Sequence, residues 1–274
     1  MRRVHLVFAL GLAGVACGGA ESQEIVSTSV SAVRTFDVPK VDGNVAPGFD
    51  LDGLTSDLSD GRTCYHADLT SPDGAVGIDN QLATLIPFFD VEGEGAFGAL
   101  IQQAINDGRL LLLFELAKRA DDTHELRIYR GDDKPLLGTD GLLLADQTLA
   151  AQAGEPLVRA EIGAIAGKTI EIGPVDLSIP VVVFDGTYDM HMPEGRVRMQ
   201  LDDEGNIVGG VLGGGIPMES LNKMLAQAAV RLPSFVSVLR STVEEATDMA
   251  LKSDGSCDQM SAAIVFDSVS AYKF

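Results

Sequence analysis

The chain has 274 residues, 46% of them hydrophobic and 22% charged, which is enough apolar material for a sizeable core and argues against a wholly disordered protein. Its 20 Lys and Arg stand against 40 Asp and Glu, a formal net charge of -20. That balance excludes nucleic acid as a partner, because the phosphate backbone is bound through basic patches and no cluster of Lys or Arg occurs here. Trp is absent and Tyr numbers 4, too few for the aromatic girdles of a transmembrane β-barrel.

Arg2 and Arg3 open a short positive segment, Val4 to Ala16 is apolar apart from His5, and small residues lead into Cys17. This is the pattern of a secretory signal, too short to span a bilayer. The stretch Gly14, Val15, Ala16, Cys17 resembles the lipobox of bacterial lipoproteins, departing from it at Gly14, where an aliphatic residue such as Leu is usual. The resemblance implies removal of residues 1–16 and lipidation of Cys17. Gly18, rather than Asp, in the next position implies anchoring at the outer membrane. The alternative is an ordinary cleaved signal in which Cys17 is incidental. An acidic body is repelled by an anionic bilayer, so attachment must come from acyl chains, at about 0.8 kcal/mol per buried methylene. Gly18 to Val33, rich in Ser, Gly and Ala, reads as a flexible tether. The expected organisation is a signal peptide (1–16), an anchored tether (17–33) and one domain (34–274). Later apolar runs stop at about five residues, as in Leu110 to Phe114, so no second membrane segment is expected.

From Asp37 to Asp79 the chain is dense in Asp, Gly, Ser and Pro and reads as turns. Within it, Asp50, Asp52, Gly53, Asp57 and Asp60 partly resemble the Asp-rich calcium loops of thrombospondin type 3 repeats. A hard cation needs six to eight oxygens, which clustered Asp around a Gly turn can supply. The spacing departs from that family. With Gly53 at the turn, Gly48 and Ser59 fall where carboxylates belong, and Asp60 comes one residue late. The resemblance implies a structural calcium ion, with Asp68, Asp73 and Asp79 as further donors. The other reading is a solvated acidic loop, since Asp-Gly pairs form turns by themselves.

A helix is expected from Asp79, with that Asp as N-cap and Leu82, Leu85, Ile86 and Phe89 on one face, limited by Pro87. A second carries Phe97, Leu100, Ile101, Ala104 and Ile105 as its stripe and ends at Gly108. Between Leu110 and Leu212 the period changes from 3.6 to 2, and strands are expected at 110–117, 125–130, 157–162, 168–172, 179–190, 196–201 and 207–212. The Asp202 to Asn206 turn joins the last two as a hairpin. Pro217 opens a helix through Leu221, Met224, Leu225 and Ala228. Another is expected from about Ser234 to Lys252, and a strand from Ala262 to Val269. Strands in the middle with helices towards the ends predict an α+β fold: a largely antiparallel sheet or β-sandwich flanked by about four helices.

With Cys17 lipidated, Cys64 and Cys257 remain, and in an oxidising envelope two leftover thiols are expected to pair. Without His or Cys neighbours they make a poor zinc site. Catalytic signals are weak. Asp185, Thr187, Asp189 and His191 share one strand face, able in principle to bind a metal or relay a proton, but alternation alone gives such a polar face. Ser220 and Lys223 fit the short S-x-x-K pattern with no K-T-G following it. The glycines between Gly209 and Gly215 lack the Lys and spacing of a phosphate loop. The expected function is therefore a lipid-anchored envelope protein with a non-enzymatic structural or interaction role. Next in order come a binder of an apolar small molecule or lipid, motivated by the apolar sheet face and covering helices, and then a hydrolase.

Overall fold

The computed structural model describes residues 24–89, 95–183, 186–230 and 233–274. Twelve strands occur in it: β1 Ile25–Asp37, β2 Leu69–Thr70, β3 Val76–Ile78, β4 Leu112–Arg119, β5 His124–Arg130, β6 Gln147–Leu149, β7 Val158–Ile162, β8 Thr169–Val183, β9 Gly186–Leu201, β10 Ile207–Pro217, β11 Met249–Leu251 and β12 Cys257–Lys273. The helices are α1 Gln81–Phe89, α2 Ala96–Asn106, α3 Met218–Ala229 and α4 Pro233–Glu245.

The fold is α+β, dominated by one antiparallel sheet in the order β7-β5-β4-β1-β12-β10-β9-β8, with β6 and β11 added alongside β12. Only β6 runs parallel to its neighbour. The two edge strands, β7 and β8, come alongside each other, so the sheet curls into a near-closed barrel. Alternation sets which side chains face inward. Tyr188, Met190, Met192, Val197, Met199 and Leu201 of β9 are buried, while Thr187, Asp189 and Gln200 between them are exposed. β4 is buried on both faces, which is why Leu110 to Phe114 reads as a continuous apolar run. Inside, the rings of Phe114 and Phe266 stack with centroids 4.9 Å apart and Phe36 meets Phe266 edge-on.

Several expectations change. Residues 25–33, read as the end of a tether, are the first nine of β1, with Ala32 and Val33 fully buried between β4 and β12. Modest hydropathy hid this, because Ser and Thr pair in a ladder as well as any residue. The run 179–190 is not one strand: β8 ends at Val183, β9 begins at Gly186, and the two pair antiparallel. Both arms alternate, so no break in period marks the reversal. α4 stops at Glu245, and β11 pairs with β12 in place of the last turns expected up to Lys252. β12 starts at Cys257 rather than Ala262. At α1 the cap is Asn80, not Asp79: its Oδ1 accepts from Ala83 N (3.3 Å) and from Ala263 N of β12 (3.1 Å). Leu100 stands 51% exposed while Ile101, Ala104 and Ile105 carry the buried face of α2. Gly108 follows the helix with φ +76, as a left-handed cap requires. The 202–206 hairpin between β9 and β10 forms as read from the sequence.

Antiparallel order places the C-terminal ends of β8 and β10 beside the N-terminal ends of β9 and β12, with the end of β1 against the middle of β12. All four helices gather at this end of the barrel. Residues 38–80 wrap its outside, tied by the Cys64–Cys257 disulfide, whose Cα atoms lie 6.1 Å apart. Among the described residues no helix is long and apolar enough to cross a membrane.

Candidate functional site: an apolar cavity under four helices

At the helical end the barrel is not filled. A cavity of about 130 Å³ remains, walled by Phe36 of β1 and Val38 just beyond it, Ile179 and Val181 of β8, Met190 of β9, and residues from every helix, among them Leu85, Ile101, Leu225 and Val243. Amphipathic pattern explains the wall: each helix turns its apolar stripe inward, and those stripes meet the inward faces of five strands. Among the described residues Tyr188 is the only polar residue of the wall and no charged residue lines it. A dry apolar void of this size accepts small hydrocarbons.

A second cluster lies on the outer wrap. Asp50, Asp52 and Asp79 bring one carboxylate oxygen each within 4.8 Å of one another. Each already accepts from backbone: Asp50 from Gly53 N (2.7 Å), Asp52 from Leu54 N (2.8 Å), and Asp79 from Leu51 N (2.6 Å). Asp79 is buried, and desolvation pushes its carboxyl up to about 8, with Asp52 adding repulsion. Deeper in, Asp248 is also lifted by desolvation, to about 7. Of the carboxylates expected to hold calcium, Asp57 and Asp60 lie outside this group. Asp57 accepts from Ser59 N (2.8 Å) and Ser59 Oγ (2.5 Å), and Asp60 is paired with Arg62, whose hydrogen bonds hold it well below the usual carboxylate range. Each of the three clustered carboxylates keeps an oxygen for a hard cation, the remaining ligands falling to backbone carbonyls or water.

The residues considered for catalysis do not converge. Asp189 pairs with Arg130 (2.6 Å), and His191 Nε2 lies 2.7 Å from Asp176 Oδ1, both on the exposed face of the β8–β9 ribbon. Asp185 falls outside the described residues, as does Cys17. Lys223 donates to Glu219 (2.6 Å), one turn back along α3, and makes no hydrogen bond to Ser220. The glycine cluster lies within β10, paired on both sides. Asp248, expected within the helix from about Ser234 to Lys252, lies beyond the end of α4. The signal that could have found the cavity is the coincidence of four apolar helix stripes with more inward sheet positions than they can fill. No protein-family model, curated protein or solved structure matches this chain.

Proposed function

We propose that this chain is a lipid-anchored cell-envelope protein that binds an apolar small molecule at the helix-covered end of its barrel. The observation that carries the reading is the cavity, walled by hydrocarbon from four helices and five strands. The signal pattern ending at Cys17 supports the anchor. β1 runs from the barrel floor to the cavity, 13 residues at about 3.3 Å each, so an anchor at Cys17 sets the binding end about 40 Å beyond the floor. This arrangement suits a ligand collected from the aqueous side rather than directly from the anchoring leaflet. The test is purification of the full-length chain in mild detergent from a lipoprotein-processing bacterial host, with organic extraction and mass spectrometry of both fractions. Close to one apolar molecule per chain and an acylated Cys17 are expected. A chain that retains no organic molecule and takes up no alkyl alcohol overturns the binding reading. An unmodified Cys17 overturns the anchor alone.

A second reading, compatible with the first, is a structural calcium ion at Asp50, Asp52 and Asp79. It is favoured by three converging carboxylates, one of them buried, on the wrap that the disulfide also fastens. Calcium titration of the chelator-treated protein by calorimetry tests it, and absence of heat at millimolar calcium overturns it.

A further inference from the structure

One wall of the cavity is held far less firmly than the others. β10 pairs with β9 only over 196–201, and β7 forms no ladder with β8, so among the described residues the segments 177–183 of β8 and 186–192 of β9 have only each other as strand partners. They form a two-stranded arm at the helical end of the barrel. Its base is built as a joint. β8 shifts register twice between Ile172 and Leu177, Gly173 there has φ +142, and Val175 lies opposite Gly195, where a Cβ would come 2.7 Å from Leu177 Cβ. The buried face of β9 changes parity across this joint: Val197, Met199 and Leu201 are buried on one side of it, Tyr188, Met190 and Met192 on the other. Bulges and glycines of this kind are where a ribbon bends.

A two-stranded ribbon is marginally stable alone, so the arm depends on what it touches. One face gives Ile179, Val181 and Met190 to the cavity wall, with α2 resting on β8 and α3 on β9. The other face is wet, and there Asp189 accepts from Arg130 Nη2 of β5 (2.6 Å), a pair open to solvent. On the opposite wall, Ile216 of β10 and Met260 of β12 face each other within a continuous ladder.

We propose that this arm is the gate of the cavity: it swings about the joint at 173–176 and 193–195, the Arg130–Asp189 pair latches it, and an apolar ligand passes between the arm and β5. This rests on the binding reading above and adds the route. A chamber walled by hydrocarbon exchanges its contents only when part of the wall moves, and the part with a single strand partner opens at the least cost.

Two measurements on the full chain test it. In native hydrogen exchange the arm's ladder amides should open together and exchange at least about tenfold faster than those of the β10–β12 ladder. Exchange of the arm only through global unfolding overturns the gate without recourse to any variant. The second measurement is stopped-flow uptake and release of a fluorescent apolar dye. Asp189→Asn should raise both rates about threefold with Kd unchanged, and should remove the acceleration by salt expected of the wild type. Arg130→Cys with Asp189→Cys, joined by a short bismaleimide, should all but stop both processes, whereas the same variant capped with N-ethylmaleimide should not. Dye exchange indifferent to the crosslink overturns the gate and leaves the binding reading intact. If the wild-type chain takes up no dye, the binding reading fails and the gate with it.

Discussion

Asp248 accepts two hydrogen bonds from Ser261, from its backbone N at 2.7 Å and from its Oγ at 2.5 Å, at a place where both residues are almost completely removed from solvent. The same Ser261 Oγ accepts from Gln81 N at the start of α1 (2.8 Å). A carboxyl group thus sits at the junction between the outer wrap, α1 and β12, and among the described residues no basic side chain hydrogen-bonds to it. Hydrogen bonds lower its pKa, but desolvation is the larger effect and prevails.

This arrangement makes the fold less stable as pH rises towards neutrality. Burial pushes the Asp248 and Asp79 carboxyls up to about 7 and about 8 in the folded chain, whereas in the unfolded chain both return to the ordinary aspartate range near 3.8. Between those limits the folded state holds the extra protons, so stability is fully present below about pH 4 and is lost as pH climbs to about 8. Urea midpoints in chelator should fall from pH 5 to pH 8, and Asp248→Asn should flatten the slope. A midpoint that rises over that range contradicts the assignment.

Calcium should reverse this effect if the three-carboxylate cluster takes the ion. Binding at 100 times Kd adds about 2.7 kcal/mol to stability, seen as a higher Tm at pH 8. Asp52→Asn or Asp79→Asn should abolish the increment. Asp57→Asn and Asp60→Asn should retain it, because those carboxylates are engaged with Ser59 and Arg62. Loss of the increment in all four variants alike would point to a diffuse charge effect instead.

The Cys64–Cys257 bridge closes a loop across 193 positions. In the chain-entropy view its removal costs about 5 kcal/mol at most. The double variant Cys64→Ser with Cys257→Ser should unfold at markedly lower urea than the oxidised wild type, and reduction of the wild type should match it. Identical midpoints would mean that the outer wrap is held by packing alone.

Ion pairs on the barrel wall should differ sharply in worth. Arg127 donates to Glu115 (2.9 Å) and Glu125 (2.5 Å), both buried, and these carboxylates keep Lys273 (2.5 Å) and Arg119 (2.6 Å) as partners, so Arg127→Ala removes two charge-assisted hydrogen bonds without orphaning either group and should cost about 2 kcal/mol. Arg62 pairs with Asp60 on the surface, where solvent screens the attraction, and Arg62→Ala should leave the unfolding midpoint almost unchanged. Equal losses in chemical denaturation would refute the ranking.

Filling the cavity should separate binding from stability. Ala228 of α3 faces the void and is buried, and Ala228→Leu adds three carbons where space exists. The variant should keep or slightly raise the Tm and release the extractable apolar molecule. A drop of several degrees would show that the space is not available to a larger side chain.

Much of the local structure was legible in the chain. Alternation at Arg196 to Leu201 located the wet face of β9, the Pro217 boundary located α3, and the cysteine count led to the bridge. The acidic loop was visible as a place where carboxylates gather, but not which ones. Asp79 joins Asp50 and Asp52 across nearly thirty positions, whereas Asp57 and Asp60, much nearer in the chain, satisfy their own neighbours. β1 escaped notice because its Ser, Thr and Ala residues carry little hydropathy, and their burial comes from strands on both sides.

Periodicity, caps and cysteine number depend on neighbours within a turn or two, and these set the elements and the α+β class of this protein. The cavity and the convergence of Asp50 with Asp79 depend on how strand ends and helices from Phe36 to Ile264 close on one another. That closure is a sum over contacts distant in sequence. It can leave space or bring charges together without any trace in a local pattern, so only the folded chain reveals it.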